Sequence, residues 1–312
     1  MKLCDTMPIP TNQKYVDDYL LHLKAKGDCK RSLYKCDLFM RHWLSVLEDD
    51  MLQMTQTEIQ LAIVAIMQKP LSISTKEGIK GYIKSIYKFH GRDTPFIKRK
   101  RIINQLDPLK LLTEEEVRRM LAHSASIRDN AIIMLLWDTG IRTGELMNMQ
   151  LDSVELLSSP PHIFVNGKTG RRSIPIHMET AKLMVQYIDT LSERQGPLWR
   201  ASDKSNWKRN ISITNDGINK MLRETAARAM IPKRITVYTF RHSVATRDAK
   251  YYTEALMRAK FGWTKDSEMA AGYVHLSARD LDEAMEIADK RIRTGLLVSE
   301  QTITEKQFNQ YG

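Results

Sequence analysis

A chain of 312 residues, 42% hydrophobic and 27% charged, has apolar side chains enough for two separate cores, at about 100 to 200 residues per domain. Its formal net charge of +11 favours a polyanionic partner, nucleic acid ahead of acidic membrane. Three cysteines without paired spacing (Cys4, Cys29, Cys36) exclude a disulfide framework or zinc site, and with no stretch near the roughly 20 apolar residues of a membrane span and no apolar leader, a cytoplasmic protein without a membrane partner is expected.

From about residue 12 to 90 apolar residues recur at helical spacing. Tyr15, Tyr19 and Leu20 open one stripe, Leu33, Phe39 and Leu44 a second, Leu61, Ile63 and Ile66 a third, and Ile79, Ile83 and Ile86 a fourth. Pro70 and a Ser-rich stretch part the last two, with Thr75 as N-cap of the fourth. Residues 1–92 are thus expected to form an all-helical module. The fourth helix sets Lys76, Lys80, Lys84 and Lys88 four apart, interrupted by Glu77 alone, which reads as a row of phosphate contacts.

Residues 93–112 lose this period and carry Pro95, Pro108 and the run Lys98, Arg99, Lys100, Arg101, a basic linker able to follow a DNA backbone. A second domain, 113–293, opens on a capping box at Thr113 and Glu116 and stays helical over 127–149. Two short strands over 162–176 flank a Gly-rich turn holding Lys168, and further helices are expected over 178–191, 215–230, 238–249, 253–260 and 278–293. Residues 294–312 are left as a C-terminal tail. The fold class is mainly α with a small β-sheet, α+β.

Chemistry concentrates in the second half. The segment Thr139-Gly140-Ile141-Arg142-Thr143-Gly144-Glu145 resembles the first-arginine motif of the tyrosine recombinases, the phage-integrase-type site-specific recombinases. Over nearly the whole chain the helical domain, basic linker, strand-borne lysine and closing tyrosine follow that family's order, which implies a helical core-binding domain and a mixed catalytic domain. Two planar guanidiniums can hold the non-bridging oxygens of one phosphate bidentately, the role the resemblance gives Arg142 and Arg241, with Glu145 orienting Arg142. Lys168 takes the place of the hairpin lysine that protonates the leaving 5′-oxygen, with Arg171 and Arg172 as phosphate contacts.

Tyr238-Thr239-Phe240-Arg241-His242 is similar to the family's His-x-x-Arg-His box, departing from it at Tyr238. A phenol with a pKa of about 10 donates a hydrogen bond but accepts protons poorly, so Tyr238 reads as a positioning group and His242 as its structural neighbour. Phe261-Gly262-Trp263 resembles the Leu-Gly-His segment, Trp263 offering an indole N–H to a phosphate oxygen. Gly272-Tyr273-Val274-His275 resembles the nucleophile segment. Tyr273 would form a 3′-phosphotyrosine and free a 5′-hydroxyl with no metal, ATP or other cofactor; Tyr251 and Tyr252, close behind Arg241, are competing tyrosines.

The resemblance further implies a monomer in free solution and a homotetramer on paired double-stranded DNA recombination sites, closed by the C-terminal segment, with possible accessory DNA-bending proteins. A type IB topoisomerase and a catalytically lapsed DNA-binding protein are the rival readings. Within recombinases, the Tyr238 departure tilts the reading from a chromosome-dimer resolvase to a mobile-element integrase.

Overall fold

A computed structural model describes residues 9–100, 107–167, 170–201, 211–276 and 289. The chain divides into two compact units, Met1–Gln105 and Leu106–Gly312. Among the described residues no helix is long and apolar enough to cross a membrane.

The first unit is helical: α1 (Pro10–Ala25), α2 (Lys30–Leu44), α3 (Gln56–Gln68) and α4 (Ile73–Phe89). Its core gathers Val16, Phe39, Met40, Trp43, Ile59, Ile66 and the three α4 isoleucines, Ile79, Ile83 and Ile86. Two local expectations shift. Helix α4 starts earlier than Thr75, because Ser72 accepts the Thr75 N–H at 3.1 Å and is the cap. Helix α3 buries Ile59, Ala62 and Ile66 and leaves Leu61 64% exposed.

The lysine stripe also changes character. A step of four residues overshoots a helical turn by about 40°, so the row winds around α4 instead of lining one face. Lys84 and Lys88 stay exposed, while Lys80 turns inward and its ammonium meets the buried Glu77 carboxylate at 2.7 Å. Lys76 donates to the Met67 carbonyl at 2.7 Å.

Glu77 also organises the start of the expected linker. Its second oxygen accepts the Lys100 N–H at 2.7 Å, its carbonyl accepts Arg99 Nε at 3.1 Å, and Ile97 enters the core. A Cβ on Gly81 would lie 3.0 Å from the Arg99 guanidinium, so the glycine leaves room for it. The backbone of 97–100 is therefore fastened to the first unit, with the Lys98 and Lys100 side chains exposed and Arg99 laid back along α4. Arg101 lies outside the described residues.

In the second unit Thr113 and Glu116 form the expected capping box at α5 (Glu114–Ala122). Helices are found within 127–149 as expected: Gly140, at φ +59°, ends α6 (Ile127–Thr139), after which α7 (Thr143–Met147) begins. Strands β1 (Val154–Glu155), β2 (His162–Gly167) and β3 (Gly170–Pro175) make an antiparallel sheet in that order. Ile163 pairs with Ile174, and both face the core with Val165. Helices α8 (Met178–Asp189), α9 (Asn215–Arg228) and α10 (Val237–Asp248) follow.

Then come α11 (Glu254–Phe261) and α12 (Met269–Leu276), the latter carrying the expected nucleophile segment. The last three helices enclose a small cluster of Val244, Ala245, Met257, Phe261, Ala270 and Tyr273. The helix expected over 278–293, apart from residue 289, and the tail 294–312 lie outside the described residues.

Candidate active site

The last carbonyls of a helix have no partner within it, and the helix dipole makes that end negative. At the end of α11 three consecutive carbonyls each accept from a different arginine: Lys260 from Arg172 Nε at 3.0 Å, Phe261 from Arg241 Nη2 at 2.7 Å, and Gly262 from Arg142 Nη2 at 2.9 Å. Gly262 caps the helix in the left-handed region at φ +57°. A Cβ there would sit 2.7 Å from Arg172 Nη1 and 3.3 Å from Arg142 Nη1, so glycine is required by conformation and by space.

Arg142 and Arg241 are thereby brought together from the N-cap of α7 and from α10. Arg241 is buried, and its other Nη donates to the Gly140 carbonyl at 2.8 Å. Its guanidinium lies over the rings of Phe261 and Trp263, 5.1 and 5.6 Å from their centres. Burial, then the charge of Arg142, pulls its pKa down to about 10, which leaves it cationic at neutral pH.

Glu145 is the only acid bonded to this cluster among the described residues. Its two oxygens accept Arg142 Nη1 and N–H at 2.9 and 2.8 Å, and Arg172 Nη1 and Nη2 at 2.8 and 2.9 Å. Burial alone would raise its pKa; the hydrogen bonds from Arg172 and Arg142 outweigh burial and hold it below the usual carboxylate range. The Arg142 side chain is still 39% exposed.

Tyr273, buried on α12, stacks on Trp263 with ring centres 5.5 Å apart and planes 4° from parallel, and Trp263 stacks in turn on Phe261 at 4.9 Å. Its hydroxyl shares a hydrogen bond with His242 Nδ1. Burial, with Tyr238 nearby, raises the Tyr273 pKa above the usual phenol value. Burial, aided by Arg241, lowers that of His242 to about 4, so the imidazole is neutral at pH 7.

The structure thus gathers Arg142, Glu145, Arg241, His242, Trp263 and Tyr273. Tyr238 stands at the edge, 63% exposed, its ring edge-on to His242 at 4.1 Å. Lys168 lies outside the described residues; the flanking Gly167 and Gly170 pair across the hairpin. Arg171 is exposed, over the Phe164 ring at 5.0 Å. Arg172 differs from the exposed phosphate contact expected: its side chain is 12% exposed and each of its nitrogens is bonded to Glu145 or the Lys260 carbonyl, because adjacent strand residues face opposite ways. Tyr251 and Tyr252 fall in the turn between α10 and α11.

Sequence reasoning missed the α11 carbonyls and the Lys260 ammonium, which meets Asp248 at 2.7 Å and the Asp138 carbonyl at 2.9 Å and so ties α11 to α10 and α6. The motif glycines 140 and 262 were the available signal, since close backbone approach is what such glycines permit.

A helical unit followed by a mixed unit with this cluster of arginines, tryptophan and tyrosine defines a tyrosine recombinase. The chain belongs to the phage integrase family, whose model matches residues 110–279. It is 24% identical to tyrosine recombinase XerA of Pyrococcus furiosus over 286 residues, covering 88% of this chain and 93% of the relative. Tyrosine recombinase XerD of Staphylococcus haemolyticus is 25% identical over 234 residues, 70% of this chain and 77% of that one. Solved structures share the fold: XerH recombinase in a post-cleavage complex with palindromic difH substrate has a TM-score of 0.64 at 16% identity, over 85% of this chain and 82% of its own. A lambda integrase tetramer bound to a Holliday junction scores 0.62 at 15% identity, over 82% and 78%.

Proposed function

We propose that this protein is a site-specific DNA recombinase that cuts and rejoins strands through a covalent link to Tyr273. The observation that carries the reading is that consecutive carbonyls, Phe261 and Gly262, hold Arg241 and Arg142, while the next residue, Trp263, stacks on Tyr273. Charge for a transferring phosphoryl group and a hydroxyl to attack it are set within one short stretch of chain.

In the proposed step the Tyr273 oxygen bonds to phosphorus and the bond to the 5′-oxygen breaks. The tyrosine proton leaves to an acceptor, for which His242 Nδ1 is in contact, and the departing oxygen takes a proton, the part assigned to Lys168. A 3′-phosphotyrosine and a 5′-hydroxyl result, and a 5′-hydroxyl from a partner strand reverses the attack. The ester bond energy is conserved, so the arginines suffice without metal or ATP. Kinship with a recombinase that forms a tetramer on a Holliday junction supports paired double-stranded sites held by a tetramer. Exposed Lys84, Lys88, Lys98 and Arg171 are candidates for backbone contact.

A duplex nicked just to the 3′ side of the cleavage point, which on cutting loses the short fragment that carries the 5′-hydroxyl, tests the chemistry. Wild type is expected to accumulate a protein–DNA adduct that peptide mapping places on Tyr273, and Tyr273→Phe none while binding within a few fold of wild type. An adduct on Tyr251 or Tyr252 would overturn the assignment.

A further inference from the structure

We propose that Arg172 is a positioning residue for this reaction: through the shared Glu145 carboxylate it keeps the Arg142 guanidinium free to receive the phosphate. The inference rests on the reading of Arg142 as a phosphate clamp. Arg172 engages both Glu145 oxygens, at 2.8 and 2.9 Å, and its Nε is held by the Lys260 carbonyl at 3.0 Å. With a hydrogen bond from each of its three nitrogens and only 12% of the side chain exposed, it is held in place by the protein and offers a substrate far less of its guanidinium than Arg142 does.

Two consequences follow from charge and geometry. One carboxylate between two guanidiniums leaves a net positive charge beside Arg241; without Arg172, Glu145 and Arg142 would cancel each other. A carboxylate freed on one side also favours the two-pronged pair with Arg142, and that would draw the guanidinium away from the Gly262 carbonyl and toward Glu145. The Arg142 side chain remains 39% exposed in the arrangement observed, where it gives Glu145 one side-chain nitrogen and the Gly262 carbonyl another. Gly262 provides the room, since a Cβ there would press on Arg172 Nη1 at 2.7 Å.

The test compares the full-length protein on two nicked duplexes, one with the natural phosphodiester at the cleaved position and one with a methylphosphonate, which is neutral and has no anionic oxygen pair to clamp. Arg142→Ala, Arg172→Ala and the bulkier Arg172→Gln are measured for single-turnover cleavage, with thermal melting and DNA binding as checks on folding. On the phosphodiester each variant is expected to lose about 100-fold in rate, the scale of one lost charge-stabilising group. On the methylphosphonate all three should come within about ten-fold of wild type on that same substrate, a recovery no damaged fold could show. Wild-type phosphodiester rates in both Arg172 variants would overturn the proposal. So would rescue of Arg142→Ala without rescue of either Arg172 variant, which leaves the clamp reading standing. Failure of Arg142→Ala to be rescued would sink the clamp reading and this inference with it.

Discussion

Glu77 and Glu145 are both buried acids among basic residues, one in each unit, yet they leave opposite surfaces behind them. Among the described residues the Glu77 carboxylate is ion-paired with Lys80 and accepts a neutral backbone N–H from Lys100; the lysine side chain is left 11% exposed and its charge is cancelled. Glu145 receives two cations, and Arg142 keeps 39% of its side chain exposed. A buried acid silences a single base, whereas shared between two it fixes one and leaves the other available. The number of cations per carboxylate decides between a structural ion pair and a binding surface.

The sharpest way to break this contrast is to neutralise each acid. Glu145→Gln should lower single-turnover cleavage by about 100-fold, because Arg142 loses its anchor, while DNA binding changes by a few fold. Glu77→Gln strands the buried Lys80 charge, and a loss of about 3–5 kcal/mol in urea unfolding is expected with unchanged cleavage per folded molecule. Equal cleavage defects in the two variants would end the distinction.

In the second unit the burial of His242, with the Arg241 charge beside it, should also be visible in the pH dependence of stability. With a folded pKa of about 4, against 6.5 for the unfolded residue, its contribution is complete above pH 6.5. As pH falls from 6.5 toward 4 the unfolded chain binds a proton that the folded one refuses, and stability drops by up to on the order of 3 kcal/mol. His242→Asn should flatten that part of the profile relative to wild type; parallel profiles would show that the imidazole titrates normally.

The smallest effect sharpens the other side of the comparison. Removing the exposed pair with Lys84→Ala and Lys88→Ala should reduce the log–log salt slope of DNA binding by about 0.9 for each phosphate no longer neutralised. Lys80→Met should leave the slope as it is. A reduced slope for Lys80→Met would return that lysine to the DNA-facing surface.

The gap between sequence and structure has the same physical origin. The α4 isoleucines were legible because a 3.6-residue period with polar residues between fixes the buried face. In α3 the run Leu61-Ala62-Ile63-Val64-Ala65-Ile66 is apolar on every side, so nothing in the sequence sets its phase, and Leu61 faces outward although its place in the stripe points inward. Ser72, Ser74 and Thr75 are all competent caps, and only backbone geometry chooses among them. Arg171 and Arg172 look alike in the sequence; the strand turns one to solvent, and an acid distant in sequence claims the other. Arg142, Arg241, Trp263 and Tyr273 could be named from motif order. What gathers the arginines, beside the Glu145 carboxylate, is main-chain oxygen, which every residue has and no sequence spells out.

That dependence on main-chain oxygen makes the site collective. The carbonyls that hold the arginines close one end of α11, and the chain leaving that end runs through Gly262 and Trp263 to the helix bearing Tyr273. Fraying of the last turn of α11 would take one anchor from each guanidinium and disturb the stack under the tyrosine in a single event. In amide hydrogen exchange residues 254–276 should therefore open as one cooperative segment, and independent opening of α11 and α12 would show that the two are uncoupled.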